Sequence, residues 1–157
     1  MFKKKTFKLI AAILICQAAG IIGSFFTTPS IKGWYASLNK PSFNPPNWIF
    51  GPVWTSLFLL MGISLYLVWK SQKGRKRSIA LTTFSVQLVL NIIWSFLFFE
   101  LNCPLCAFIE IIILWLAIAL TIYYFAKINK KAAYLLLPYL FWVSFAMILN
   151  FSIWILN

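Results

Sequence analysis

Histidine is absent from this chain of 157 residues, and acids are nearly so: two Asp or Glu stand against 14 Lys or Arg. The first absence removes the side chain that supplies most general bases near neutral pH and most metal and haem ligands. The acids that remain, Glu100 and Glu110, form no recognisable acid–base dyad. No metal site, no catalytic triad and no required cofactor are therefore expected. Charge itself is scarce, at 10% of residues, where a soluble domain carries about a quarter. A chain so poor in charge and 62% hydrophobic does not have water as its main solvent.

The formal charge of +12 invites a nucleic-acid reading, but the basic residues sit in short clusters between apolar runs. That placement is a topology signal and not a phosphate-binding face, so no nucleic-acid partner is expected. Met1-Phe2-Lys3-Lys4-Lys5 ahead of an apolar run imitates a signal peptide. No A-x-A-like cleavage site precedes a polar mature domain, and the segment is expected to stay as the first span.

About 20 residues at 1.5 Å rise cross the hydrocarbon core, and apolar runs of 18 or more mark candidates. Five such runs occur, at about 9–26, 49–69, 79–99, 105–126 and 132–156, which leave no room for a soluble domain. The expectation is an all-α integral membrane protein, a single domain over 1–157 formed by a five-helix bundle. Pro45, Pro46 and Pro52 mark the start of the second span, Pro52 being assigned to its first turn, where amides have no helical partner.

Cytoplasmic loops retain Lys and Arg. One side of the bundle holds Lys3, Lys4, Lys5 and Lys8, then Lys70, Lys73, Arg75, Lys76 and Arg77, then Lys127, Lys130 and Lys131; the other holds Lys32 and Lys40. The N-terminus is thus expected in the cytoplasm. The absence of an Arg- and Ser-rich amphipathic presequence favours a prokaryotic plasma membrane.

The long connection, 27–47, then lies outside and reads TTPSIKGWYASLNKPSFNPPN, rich in turn formers and in aromatic rings. An idle linker has no need of Trp34, Tyr35 and Phe43, and loops of this length are often lids. It is read as a roof over the bundle.

From Trp34-Tyr35-Ala36-Ser37-Leu38-Asn39-Lys40-Pro41 through Asn44-Pro45-Pro46 and Phe50-Gly51-Pro52-Val53-Trp54, the chain resembles the translocator protein family. That family is also called tryptophan-rich sensory protein or peripheral-type benzodiazepine receptor. The resemblance continues in Asn91-Ile92-Ile93-Trp94-Ser95, in Glu110, in Pro138-Tyr139-Leu140-Phe141-Trp142 and in Leu149-Asn150-Phe151. It implies a five-helix bundle, commonly a homodimer, that binds tetrapyrroles such as protoporphyrin and haem and, in animals, cholesterol and synthetic drugs. Some bacterial relatives are associated with light-dependent porphyrin breakdown, others with sensing or transport.

The resemblance assigns ligand contacts to Tyr35 and Pro45 in the loop, Trp54 and Phe58 in the second span, Asn91 and Trp94 in the third, Glu110 in the fourth, and Trp142 and Ala146 in the fifth. Trp54 with Phe58, and Trp142 with Ala146, lie four apart and share a helix face. Aromatic faces suit a flat macrocycle, and Trp54 and Trp142 are the candidate electron partners should a photoexcited porphyrin be degraded. A carrier role has little support, because no internal repeat is visible.

Polar groups inside spans are costly and need partners. Glu110 either meets a ligand's polar edge or joins helices; Gln17, Gln87 and Asn150 are read as links between helices. Ala19-Gly20 and Gly23-Ser24 form overlapping small-xxx-small pairs, which bring helix backbones together within the bundle or between subunits. Cys103-Pro104-Leu105-Cys106 is read mainly as an incidental pair, with a disulfide left open. The end of the last span lacks the Tyr and basic residue of the family's sterol motif, and a loose version survives only at Leu120, Tyr123 and Lys127.

Overall fold

A backbone in hydrocarbon has only itself to bond with, and every long apolar run of the chain is helical. The computed structural model describes residues 2–71 and 74–157, with side chains from residue 5 onward. Lys73 and the side chains of Lys3 and Lys4, which entered the charge count, lie outside the described residues. In chain order the helices are α1 (Phe2–Ile31), α2 (Trp34–Ser37), α3 (Asn47–Trp69), α4 (Arg75–Ser95), a π-helical turn (Phe96–Glu100), α5 (Pro104–Ala126), α6 (Lys130–Leu135) and α7 (Leu137–Leu156). No strand occurs among the described residues. Five segments are long and apolar enough to cross a membrane: Lys5–Ile31, Asn47–Trp69, Arg75–Glu100, Pro104–Ala126 and Lys130–Leu156.

Several boundaries differ from the sequence reading for definite reasons. α1 continues through Pro29 to Ile31, and α2 occupies part of the connection, so the irregular stretch is confined mainly to 38–46. α3 starts at Asn47, which moves Pro52 out of the first turn. The carbonyls near it are engaged by side chains, with Thr55 Oγ1 donating to Gly51 O at 2.9 Å and Ser56 Oγ donating to Pro52 O at 2.8 Å. The fifth span is split at Leu136, and Pro138 sits in the first turn of α7, where its missing amide hydrogen matters little.

α1 packs chiefly on α3, α4 on α5, and α5 on α7. Small residues set the closest approaches. A Cβ on Gly62 would stand 2.6 Å from Ile13 Cα, so α3 meets α1 there with no room for a side chain. The small residues of α1 work inside the bundle too, Gly20 facing the Phe58 ring and Gly23 facing Ser95. That stripe therefore carries no argument for a second subunit.

Polar side chains tie the helices together. Gln17 Nε2 donates to Thr55 O at 3.0 Å, joining α1 to α3, and Ser64 Oγ donates to Ala132 O at 2.7 Å, joining α3 to α6. Trp115 Nε1 donates to Ser144 Oγ at 2.8 Å between α5 and α7. Gln87 is buried on α4 with neither amide atom partnered among the described residues. Cys103 and Cys106 form a disulfide at the outer end of α5, where Cys103 is the N-cap residue; the incidental-pair reading gives way to this bond.

Candidate ligand cavity

Between the outer halves of α1, α3, α4 and α7 the packing opens into a cavity of about 500 Å³, within the roughly 300–1,000 Å³ range of small-molecule sites. The opening follows from local sequence. α1 presents Gly20 and Gly23, which let the Phe58 ring and Ser95 stand directly against its backbone at the wall, and the facing helices present rings. Trp54 and Phe58 stack with centroids 5.6 Å apart on one face of α3, as their spacing requires. Trp94 stacks on Phe98 at 5.3 Å across the start of the π-helical turn. Trp142 meets Phe50 edge-on at 6.0 Å.

Two polar ties hold these rings in place. Trp94 Nε1 donates to Asn150 Oδ1 at 3.0 Å, and Asn150 Nδ2 donates to Pro104 O at 2.8 Å, inside the disulfide turn. Asn91 Nδ2 donates to the Tyr139 hydroxyl at 2.9 Å, and Tyr139 packs edge-on against Trp54 at 6.2 Å. Trp142 differs from both Trp94 and Asn91. Its Nε1 is buried and has no acceptor among the described residues. A buried donor without a partner costs about 1–3 kcal/mol.

The outer end is closed by α2. Trp34 and Tyr35 pack on Phe98 at 5.6 Å and 6.3 Å, which ties the connection to the π-helical turn. The Tyr35 hydroxyl donates to Asn44 Oδ1 at 3.2 Å, and the Lys40 ammonium lies 4.8 Å from the Tyr35 ring centroid. Burial pushes the ionisation of Tyr35 above the ordinary phenol range, so the hydroxyl stays a donor near neutral pH. Asn157 clasps the same segment, accepting from Asn39 N at 2.9 Å and donating to Asn39 O at 2.9 Å. One side remains open: Ile21, Ser24 and Thr28 on α1 and Trp48, Gly51 and Thr55 on α3 line the cavity and are exposed. Gln17, bonded to Thr55 O, bounds that gap toward the bilayer centre.

Of the residues expected at the site, Tyr35, Trp54, Phe58, Asn91, Trp94, Trp142 and Ala146 line the cavity together. Pro45 and Glu110 do not. Pro45 lies just before the Pro46 cap of α3, its carbonyl accepting from Asn44 Nδ2 at 3.1 Å. Glu110 is on α5, which contributes no wall; it is buried, and both carboxyl oxygens lack a partner among the described residues. Sequence reasoning missed Trp48, Phe50, Phe98 and Phe99 as wall residues; Gln17 and Asn150, read as links between helices, make such links and line the cavity as well. The aromatic run Phe96–Phe99 was a usable signal, but only the π-helical turn decides which of its rings face inward. Tyr123 and Lys127, the surviving sterol pattern, pair with each other, the ammonium lying 4.0 Å from the ring centroid.

This architecture defines an integral membrane protein of five spanning helices around an aromatic cavity near one membrane face. Residues 12–155 match the TspO/MBR family, and the chain belongs to that family. It is 49% identical over 150 residues to the tryptophan-rich protein TspO of Archaeoglobus fulgidus, covering 96% of this chain and 97% of that one. The protein of the same name in Chlorobaculum tepidum is 44% identical over 158 residues, covering 98% of each chain. The human translocator protein is 38% identical over 135 residues, covering 85% of this chain and 80% of its own.

Proposed function

We propose that the chain is a membrane receptor for flat tetrapyrroles, protoporphyrin above all, held in the aromatic cavity beneath α2. One observation carries the proposal: a space of about 500 Å³ is walled by indole and phenyl faces, and Trp142 Nε1 is a buried donor without a protein acceptor. Stacked rings favour a planar π-system with offset or edge contacts, worth about 0.5–1.5 kcal/mol per pair beyond area burial. A donor held in that apolar setting adds direction, because a polar edge of the guest must meet it. The ligand needs no metal for this mode of binding. The open flank between α1 and α3 suits a guest that partitions into lipid before binding.

The test is quenching of tryptophan fluorescence by protoporphyrin, with the protein in detergent and in darkness. Saturable quenching is expected, weakened at least tenfold in the Trp54→Ala, Trp142→Ala double variant, a loss of about 1.4 kcal/mol or more. An unchanged affinity in a variant that still melts cooperatively would sink the assignment. Illumination of the same complex separates a binder from a catalyst: a binder bleaches porphyrin no faster than the Trp54→Phe, Trp142→Phe variant does.

A further inference from the structure

The opposite end of the bundle carries a second apolar recess that the ligand cavity does not involve. Ile15 of α1, Leu65 and Trp69 of α3, and Leu81, Phe84, Ser85 and Leu88 of α4 line a groove of about 190 Å³ open to the bilayer. Trp69 is the last residue of α3 and Leu88 lies past the middle of α4, so the groove runs from the basic end toward the bilayer centre. From Leu81 to Leu88 the helix rises about 10 Å at 1.5 Å per residue, a length suited to part of one acyl chain.

Cations from two different helices converge where the groove reaches the membrane surface. The Lys8 ammonium of α1 lies 6.0 Å from the centroid of the Trp69 ring. Arg77 of α4, one turn before Leu81, donates through Nη1 to Ser71 O at 3.1 Å and to Trp69 O at 3.4 Å. Lys70 follows Trp69 directly, its ammonium 4.8 Å from the Tyr66 ring centroid. No carboxylate of the chain can neutralise this cluster. Both acids, Glu100 and Glu110, belong to the other half of the bundle. An apolar groove capped by unneutralised cations complements one class of molecule: an amphiphile with a hydrocarbon tail and an anionic head.

We infer that this groove is a binding site for an anionic phospholipid of the inner leaflet, with one acyl chain along α4 and its phosphate at Lys8 and Arg77. The polar arm acts through charge, each Lys or Arg at the surface contributing about 1 kcal/mol toward acidic lipid. The apolar arm acts through the tail, at about 0.8 kcal/mol per buried methylene. Both arms are needed, which separates a site from the diffuse attraction that every basic membrane face exerts.

Native mass spectrometry of the full chain, released from detergent containing equal phosphatidylglycerol and phosphatidylcholine, tests the inference. Preferential retention of phosphatidylglycerol is expected. It falls roughly fivefold or more in the Lys8→Gln, Arg77→Gln variant, and it falls also in Ser85→Phe, which fills the groove and leaves every cation in place. The Lys130→Gln, Lys131→Gln variant removes the same charge from exposed positions outside the groove and should retain the lipid as the parent does. Equal retention of the two lipids, equal loss in the Lys130, Lys131 control, or undiminished retention in Ser85→Phe would each overturn the site. Displacement by glycerol phosphate would show an anion site without a tail and overturn it as well. Thermal melting of each variant distinguishes lost binding from lost fold, and the Lys8→Gln single variant, which removes no backbone hydrogen bond, keeps the test sharp should the double variant melt early.

Discussion

The two halves of this bundle use small residues on the same pair of helices to opposite ends. In the inner half Gly62 brings α3 against α1 until the backbone at Ile13 is the nearest neighbour, and the space between helices is used up. In the outer half Gly20 is also a close contact, an added Cβ falling 2.6 Å from the Phe58 ring, but here the neighbour is a side chain of the cavity wall. The inner contact sets helix against helix backbone, while the outer one sets helix against a ring that borders the cavity. A rigid seam and a cavity wall arise here from one residue type placed about two turns apart along α1 against different neighbours.

Gly62 is the less forgiving of the two contacts. A side chain there must push against helix backbone, which cannot swing aside, and overpacking costs about 1–3 kcal/mol or more. Gly62→Val is expected to lower the thermal midpoint in detergent sharply, whereas Gly51→Ala, with nothing within 4 Å of the new Cβ, is expected to leave it unchanged. Gly20→Ala lies between them. The atoms it meets belong to the Phe58 ring, which can turn toward the cavity, so ligand affinity should suffer more than stability.

Trp142 sharpens the outer half of the comparison. Trp142→Phe keeps a ring at the wall and removes the unpartnered donor, so apo stability is expected to hold or rise slightly. Protoporphyrin affinity should fall about tenfold, the loss of one hydrogen bond of about 1–1.5 kcal/mol. Glu110→Gln serves as the contrast in the same titration, since no α5 residue reaches the cavity and affinity should not change. A drop in affinity for Glu110→Gln would return that acid to the site.

Asn150 serves packing and cavity together, because it lines the cavity and also joins α4, α5 and α7. Asn150→Leu removes both bonds and leaves Trp94 Nε1 without its acceptor. Interhelical hydrogen bonds in membranes average about 0.6 kcal/mol, and the expected loss is about 1 kcal/mol in denaturant titration, with a modest loss of affinity as Trp94 becomes free to turn.

Much of this was legible in the residues, and the exceptions have physical causes. Span number follows from hydropathy, which answers to the bilayer and not to packing. Seven of the nine expected site residues line the cavity because Trp, Phe, Tyr and Asn were placed by a motif that fixes their helix faces. Glu110 stayed open between ligand and helix contact because cost in hydrocarbon signals only that a polar group has an inward reason, not which interior it serves. Helices apolar on every side give no periodic stripe, so neither the contribution of α1 to the wall nor the inward rings of Phe98 and Phe99 could be read off. The π-helical turn and the break at Leu136 depend on how the ends of neighbouring helices meet, and no local composition records that.

The smallest expected effect is at the roof. Asn157→Ala removes both bonds to Asn39 and one to Ile153 O, all near the exposed outer end of the bundle. Surface substitutions of this kind change stability by about 0.5 kcal/mol or less, so the melting temperature should barely move. The roof itself loses a tether. α2 remains held by Trp34 and Tyr35 on Phe98, but the segment after it is freer to lift, and changes of this type act mainly on dissociation. Release of protoporphyrin is expected to quicken about twofold, with amides of 38–46 exchanging hydrogen faster than in the parent and those of α3 unaffected. If release quickens with no change in exchange over 38–46, the guest leaves by the open flank between α1 and α3, and the clasp acts on α7 instead of the roof.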